Sequence, residues 1–238
     1  MRFEPVSADL PQLLAGGMLL CGFALLCLRR GAGAILAYAL QSLLLALLAG
    51  WLAGHGAYAG AWSAELLVVA AAALLGRALA VPLGLRRLSH RLGLPGEAEL
   101  HLGIGASLIL GTVLLGFATL VIWPAAMGPG GMAARANLAV ALALLLLGLA
   151  TVLLRRDPLS QGLGILSLEN GLVLAALAVP GLPEVLELTL ASLGLALAMV
   201  AGAFLFRLRF DLAEWRPQGP GDDVPEDAGS GNAVGEGA

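Results

Sequence analysis

The chain has 238 residues, of which 59% are hydrophobic and 12% are charged, and its formal net charge is −3. Its mean hydropathy of +0.92 lies far outside the range of a water-soluble domain. The composition excludes a soluble globular fold and predicts an integral membrane protein in a lipid bilayer. No basic tract suggests nucleic-acid binding.

Seven apolar stretches are long enough to cross a bilayer as helices. They cover residues 10–28, 31–53, 61–85, 102–123, 136–154, 159–179 and 184–206. Backbone groups in lipid must bond within their own segment or within a closed barrel, and the short-period alternation of barrel strands is absent. The sequence therefore predicts an all-α membrane protein with about seven transmembrane helices.

The two ends of the chain differ from the apolar part. Residues 1–9 form a short leader that carries Glu4 and Asp9, and the double arginine follows the first apolar run. This charge order is the reverse of a secretory signal, so we expect the first helix to be retained. Residues 211–238 are rich in Gly, Pro and acidic residues, which predicts a disordered acidic tail.

Arginines occur on alternate connections between the predicted spans. They are Arg29/Arg30, Arg86/Arg87/Arg91, Arg155/Arg156 and Arg207/Arg209. Alternate connections share one side of the membrane, and the positive-inside rule makes an arginine-rich side cytoplasmic. We therefore predict an outer N-terminus and a cytoplasmic C-terminus, with only Arg2 and Arg135 on the opposite side.

A weak internal repeat relates the two halves of the chain. A double arginine followed by a span with a polar pair at its middle occurs twice, at Arg29-Arg30 with Gln41-Ser42 and at Arg155-Arg156 with Glu169-Asn170. A further span follows each of them. The repeat predicts two parallel three-helix units, residues 10–90 and 136–210, joined by a connecting helix and loops at 91–135.

Glu169 is the most informative single residue. It lies at the middle of the apolar run 159–179, roughly 15 Å from either end, where ionisable groups are costly and rare. Burial at that depth favours the protonated form, whose proton a neighbour or internal water could exchange. Glu169 and the adjacent Asn170 are therefore candidates for a proton path. The alternative is a carboxyl that only packs against a neighbouring helix.

Arg77 is the second charged residue inside a predicted span. It lies nine residues before Arg86, roughly 14 Å inside that boundary. Its side chain either snorkels toward the cytoplasm or pairs with a buried carboxylate. An arginine keeps its proton, so Arg77 could tune a carboxylate but not relay protons. Pro82 predicts a kink after Arg77 that frees a backbone carbonyl.

Four other polar residues complete the candidate path. Tyr38 and Gln41 share a helix face and either polarise a water chain or make interhelical hydrogen bonds. Glu65 and Glu187 lie a few residues inside their spans on the outer side. They either form the exit of the path or reach interfacial water.

Motifs for other chemistry are missing. Cys21 and Cys27 lie on different faces of the first span, and the three histidines have no ligand-like spacing. No nucleophile elbow, phosphate loop or dinucleotide fingerprint is present. We expect no cofactor, no metal site and no catalytic centre in this chain.

Three stretches carry a resemblance to a family of membrane subunits. They are Tyr38-Ala39-Leu40-Gln41-Ser42-Leu43, then Trp62-Ser63-Ala64 with Arg77 and Val81-Pro82-Leu83, and Leu168-Glu169-Asn170-Gly171 with Pro183-Glu184. In these stretches the chain resembles hydrogenase-4 component E, a membrane subunit of group 4 nickel-iron hydrogenase and formate hydrogenlyase complexes. The resemblance extends to about residue 210.

The second repeat, residues 136–209, also resembles the K-type subunit of respiratory complex I and the C subunit of multi-subunit cation/proton antiporters. Those subunits carry carboxylates in their second and third helices. Glu169 matches the first of these to within about one helical turn. At the second position this sequence has Ala191-Ser192-Leu193.

The resemblances imply a non-catalytic subunit of an oxidoreductase complex in a bacterial or archaeal plasma membrane, with antiporter-like and other membrane subunits as partners. It would help couple electron transfer to proton or sodium translocation, by carrying part of the ion path or by bracing its partners. Two alternatives stay open, a small stand-alone secondary transporter and a purely structural spacer. Against the transporter, the sequence suggests no half-helices and no dense polar site at the midplane.

Overall fold

The computed structural model describes residues 10–54, 64–92, 103–124, 131–155 and 157–178, and the isolated positions 191, 194 and 202. Its helices are α1 (Leu10–Cys27), α2 (Gly31–Gly54), α3 (Ala64–Ala71), a π-helical segment (Ala72–Ala80), α4 (Val81–Leu92), α5 (Ile104–Ile122), α6 (Gly131–Leu154) and α7 (Pro158–Ala178). The π-helical segment continues directly from α3 into α4, so these three form one long helix. The described residues contain no β-strand.

Six of these helices are long and apolar enough to cross a membrane. They are Leu10–Cys27, Gly31–Gly54, Ala64–Arg87, Ile104–Ile122, Ala134–Leu154 and Pro158–Ala178. They confirm the helical prediction for the first six expected spans and are compatible with a multi-pass membrane protein. The expected seventh span, 184–206, lies outside the described residues apart from three isolated helical positions. The seven-helix count and the two parallel repeats remain predictions.

The chain divides into two units. Met1–Ala201 holds the helices named above, and Gly202–Ala238 includes the expected acidic tail at 211–238. Of the second unit only Gly202 is described. The expected leader at 1–9 also lies outside the described residues.

Helices α6 and α7 pack backbone against backbone through glycines. A Cβ atom at Gly148 would lie 2.8 Å from the carbonyl oxygen of Gly164 and 2.8 Å from the backbone nitrogen of Leu168. A Cβ atom at Gly171 would lie 3.1 Å from the carbonyl oxygen of Ala141. In lipid, where burial of apolar surface drives helix association weakly, such small residues permit close packing. The glycines therefore fix α7 against α6.

Polar contacts hold the turn between α6 and α7. Asp157 precedes α7, and its Oδ2 accepts a 2.8 Å hydrogen bond from the backbone N–H of Ser160, as expected of a helix N-cap. Pro158 occupies the first helical position, where its missing N–H costs nothing. Gln161 Nε2 donates to the carbonyl oxygen of Arg155 at 2.8 Å. The start of α7 is therefore specified locally.

Arg155 connects this turn to the C-terminal end of α1 through hydrogen bonds. Its buried guanidinium donates through Nη2 to the carbonyl oxygens of Leu25 at 3.2 Å, Leu26 at 3.1 Å and Leu28. These oxygens lie at the negative end of the α1 dipole. Burial lowers the pKa of Arg155 and nearby Asp157 raises it, but an arginine stays charged. The connections after α1 and α6 thus meet at one end of the bundle, as the arginine pattern predicts.

Two apolar cores lie along the bundle axis. The arginine-side core contains Leu25, Ile35, Tyr38, Val81, Leu85, Leu163 and Leu166. The far core contains Ala15, Met18, Leu45, Leu48, Leu66, Val69, Leu144, Val173 and Leu174. Helices α2 and α7 and the long helix at 64–92 each pass from one core to the other. Between the two cores, each of these three helices carries one to three buried polar side chains.

The glycine packing predicts a stability difference between two identical substitutions. Gly148→Ala places a methyl group against the α7 backbone, so we expect a loss of about 2 kcal/mol in the free energy of unfolding. Gly116→Ala on α5 is the control, because nothing lies within 4 Å of the position that a Cβ atom would take there. The control should be neutral or slightly stabilising, because alanine favours helix over glycine. Equal stability of the two variants in detergent would contradict the packing.

Candidate functional site

A layer of buried polar side chains lies between the two apolar cores, halfway along α2 and α7. We call it the midplane cluster. Its members are each at most 5% exposed, and they are Gln41, Ser42, Arg77, Ser167, Glu169 and Asn170. The expectation that no dense polar site lies at the midplane is therefore wrong. Residues far apart in sequence meet there, and each run taken alone contributes only one to three polar side chains.

Arg77 lies at the centre of the midplane cluster. Its side chain is fully buried. Its Nη1 donates to Asn170 Oδ1 at 2.6 Å, and its Nη2 lies 3.7 Å from Glu169 Oε2. Of the two possibilities that the sequence left open, the geometry is that of pairing with the buried carboxylate. The guanidinium points into the bundle and does not snorkel toward the surface.

The chemistry of Arg77 orients the remaining hydrogen bonds. Because a guanidinium only donates, the Asn170 amide must turn its oxygen toward Arg77 and its nitrogen away. Asn170 Nδ2 then donates to Ser42 Oγ at 3.0 Å and to Gln41 Oε1 at 3.4 Å. With its oxygen engaged, the Gln41 amide presents its nitrogen to other acceptors. The direction of donation thus runs from the π-helical segment through α7 to α2.

Gln41 extends this network by two further hydrogen bonds. Its Nε2 donates to Ser167 Oγ at 3.1 Å and to the backbone oxygen of Met18 at 3.4 Å. The hydrogen bonds therefore join α1, α2, α7 and the π-helical segment. Of the two roles that the sequence left open for Gln41, the structure shows the interhelical one.

Glu169 differs from its neighbours because its carboxylate accepts no hydrogen bond from any described residue. Its contact is the 3.7 Å approach of Arg77. Tyr38 is fully buried one turn before Ser42, and its hydroxyl likewise has no well-formed hydrogen bond within the described ranges, although Ser42 is adjacent. Arg77 and Glu169 are near enough to Tyr38 to influence it electrostatically. Glu169 and Tyr38 are therefore ionisable side chains at the site that lack a well-formed hydrogen bond within the described residues.

The π-helical segment sets the position of Arg77. At its end the Val81 N–H donates to the carbonyl oxygen of Gly76, five residues back. Pro82 follows and has no N–H to donate, so the hydrogen-bonding pattern of the preceding turn must change. Widened turns of this kind are enriched at functional sites. The sequence predicted a kink after Arg77, caused by Pro82. The structure instead has a π-helical segment that begins before Arg77 and includes it.

The structure does not gather every candidate residue. Glu65 is exposed in the first turn of α3 and is not part of the midplane cluster. Glu187 lies outside the described residues. Ser167 was missed, although it precedes Asn170 by three residues and so shares its helix face.

The described residues form a helical protein with six helices long and apolar enough to cross a membrane, and with a buried arginine and glutamate in its midplane cluster. No family model, no curated protein and no solved structure matches the chain. Within the described ranges, no group of three or more histidine, cysteine, aspartate or glutamate side chains is placed to hold a metal ion.

Asn170 joins the charged and the neutral parts of the midplane cluster, which predicts a large effect of its loss. Asn170→Leu removes the acceptor of Arg77 and the donor to Ser42 and Gln41. We therefore expect the free energy of unfolding to fall by about 2 kcal/mol. Asn137→Leu on α6 is the matched control, because Asn137 Oδ1 is buried and has no described partner. The control should be neutral or stabilising. Thermal unfolding in detergent compares the two variants. An Asn170→Leu variant as stable as the unaltered chain would contradict the network.

Proposed function

We propose that the protein is a non-catalytic membrane subunit of a respiratory-type complex related to complex I and to hydrogenase-4 assemblies. In this proposal it helps couple electron transfer in partner subunits to ion translocation. Glu169 carries the ion at the membrane midplane. Arg77 pairs with the Glu169 carboxylate and influences its charge state. The arginine-side end of the bundle faces the cytoplasm of a bacterial or archaeal cell.

The observation that carries this proposal is the Arg77–Glu169 pair in the midplane cluster. A charged side chain at the centre of a bilayer costs about 3 kcal/mol even on the lower scales. Apolar residues of similar volume would fill the same space without that cost. A role in ion movement explains why a titratable group is placed where it is most expensive. The pair also involves two of the stretches that resemble hydrogenase-4 component E.

The surface of the bundle is compatible with a place among other membrane subunits. Helix α5 buries only Ser107, Gly111 and Ala118 among its residues. Its other side chains include Ile109, Val113, Phe117 and Leu120, all more than half exposed. Lipid or neighbouring subunits can cover this face. The exposed α5 face is therefore compatible with docking against a neighbouring subunit of the proposed complex.

A stand-alone secondary transporter is the second candidate. The midplane cluster favours it, because transporters bind their substrates near the middle of the membrane between helical repeats. Helices α2 and α7, which carry most of the cluster, continue without interruption through it. Transporter sites are typically formed by interrupted helices, so we rank this candidate second.

Glu169→Gln tests the proposed function in the host membrane. The amide keeps the size of the side chain and removes the titratable proton. We expect the tagged variant to co-purify with larger membrane subunits as the unaltered chain does, while proton or sodium pumping by membrane vesicles is lost. Thr112→Val is the control, because Thr112 lies on α5 outside the cluster and its hydroxyl donates to Leu108 of the same helix, and it should pump normally.

Three outcomes separate the candidates. Normal pumping by Glu169→Gln would contradict an ion path through this site and leave the cluster as interhelical packing. Failure of both the variant and the unaltered chain to co-purify with any membrane subunit would contradict the complex. Ion transport by the purified chain reconstituted alone would favour the second candidate.

A further inference from the structure

We propose that the contacts of Arg77 in the midplane cluster set the rotation of α4 relative to α3, and that release of Arg77 turns α4 about the axis of the long helix. A change at the midplane would then reach the arginine-side surface of the bundle through one helix. Such a device goes beyond the proposed function, because it works whether or not an ion moves through the cluster.

The long helix buries every fourth residue over most of its length. The buried series is at most 7% exposed, and it consists of Val69, Ala73, Arg77, Val81 and Leu85. A second series with the same spacing is exposed, and it consists of Leu67, Ala71, Leu75, Leu79 and Leu83. The buried series begins in the far core, passes through the midplane cluster and ends in the arginine-side core.

An uninterrupted α-helix cannot keep such a series on one face. At 3.6 residues per turn, each step of four residues overshoots a full turn by about 40°. From Val69 to Leu85 the overshoot adds up to about 160°, so the two ends would face nearly opposite sides. A π-helical hydrogen bond reaches back five residues and so widens the turn. The π-helical segment Ala72–Ala80 lies in the middle of the series and offsets this drift.

The local sequence does not explain the π-helical segment. It reads Ala-Ala-Leu-Leu-Gly-Arg-Ala-Leu-Ala, and alanine, leucine and arginine are among the best α-helix formers. Pro82 removes a hydrogen bond to Ala78, four residues back, and so disturbs only the end of the segment. The segment begins well before that point, at Ala72. Contacts with other helices must therefore hold the π-helical form.

Arg77 makes the directional contacts of this segment. The buried side chains of the segment are Ala73, Arg77 and Ala78, and alanine has no polar group with which to fix a rotation. Arg77 Nη1 donates to Asn170 Oδ1 at 2.6 Å, and its Nη2 lies 3.7 Å from Glu169 Oε2. Hydrogen bonds from charged groups stabilise more than neutral ones. Without them the segment should return to an α-helix.

A return to α-helix would be felt at the surface. Helix α4 exposes Leu83, Arg86 and Arg87, and Arg86 lies roughly 14 Å from Arg77 along the axis. These side chains would turn with α4. Coupling of this kind is reciprocal. A neighbouring molecule that turns α4 would therefore pull Arg77 away from Asn170.

The oxygen accessibility of nitroxide spin labels tests the rotation in lipid nanodiscs. One label is attached through Leu67→Cys or through Leu83→Cys, in a chain whose Cys21 and Cys27 are replaced by alanine. Both leucines are exposed in the structure. Because an unbroken α-helix places them about 160° apart, we expect the ratio of the two accessibilities to change about twofold or more in Arg77→Met.

Two further substitutions separate the effect of Arg77 from that of the local sequence. Pro82→Ala keeps the contacts of Arg77, so the ratio should stay at its value in the unaltered chain. Asn170→Leu leaves the long helix unaltered and removes one partner of Arg77, so the ratio should change in the same direction as in Arg77→Met, by less. Thr112→Val is the control on α5, where the Thr112 hydroxyl donates to Leu108 of its own helix.

An unchanged ratio in Arg77→Met would overturn the inference. A changed ratio in Pro82→Ala would overturn it too, because the local sequence would then set the rotation. If Arg77→Met does not fold, Asn170→Leu decides, and an unchanged ratio in that variant would have the same meaning. The labels report helix rotation and not pumping, so the inference and the proposed function can fail separately.

Discussion

The burial of Arg77 constrains the whole midplane cluster. A guanidinium can only donate and stays charged, so a buried one requires acceptors and a negative partner. Asn170 supplies the acceptor at 2.6 Å, and Glu169 supplies the negative charge at 3.7 Å. Once Asn170 faces Arg77, the orientation of Gln41 follows. The structure of a polar layer shared by four helices thus depends on one side chain.

The surrounding fold holds this layer in place with apolar packing and backbone contacts. Glycines 148, 164 and 171 bring α6 and α7 close together, which fixes the rotation of α7 and therefore the side to which Asn170 points. Arg155 ties the α6–α7 turn to the end of α1. The π-helical segment sets the angle of Arg77. Above and below the layer, the two apolar cores exclude water, which strengthens the electrostatic interactions inside.

Hydropathy predicted the first six spans well, because length and apolar composition decide whether a helix can cross a membrane. Depth in its span also identified Glu169 as a candidate, and the polar pairs Gln41-Ser42 and Glu169-Asn170 mark the middle of α2 and α7. The sequence could not show that these two pairs contact each other. Leucine and alanine occupy every face of these helices, so the hydropathy pattern does not indicate how each helix is rotated about its axis. The choice between pairing and snorkelling for Arg77 depended on that rotation. The role of Ser167 depended on it as well, whereas the π-helical segment is a local change in backbone hydrogen bonding before Pro82 that a hydropathy pattern does not report.

A double-mutant cycle on Arg77→Met and Glu169→Gln tests the central claim most directly. The free energy of unfolding of the unaltered chain, both single variants and the double variant is measured in mixed micelles. If the two side chains form one buried pair, removing both costs at least about 1 kcal/mol less than the sum of the single changes. Additivity within about 0.5 kcal/mol would mean that the two residues do not interact, and the account of the midplane cluster would be wrong.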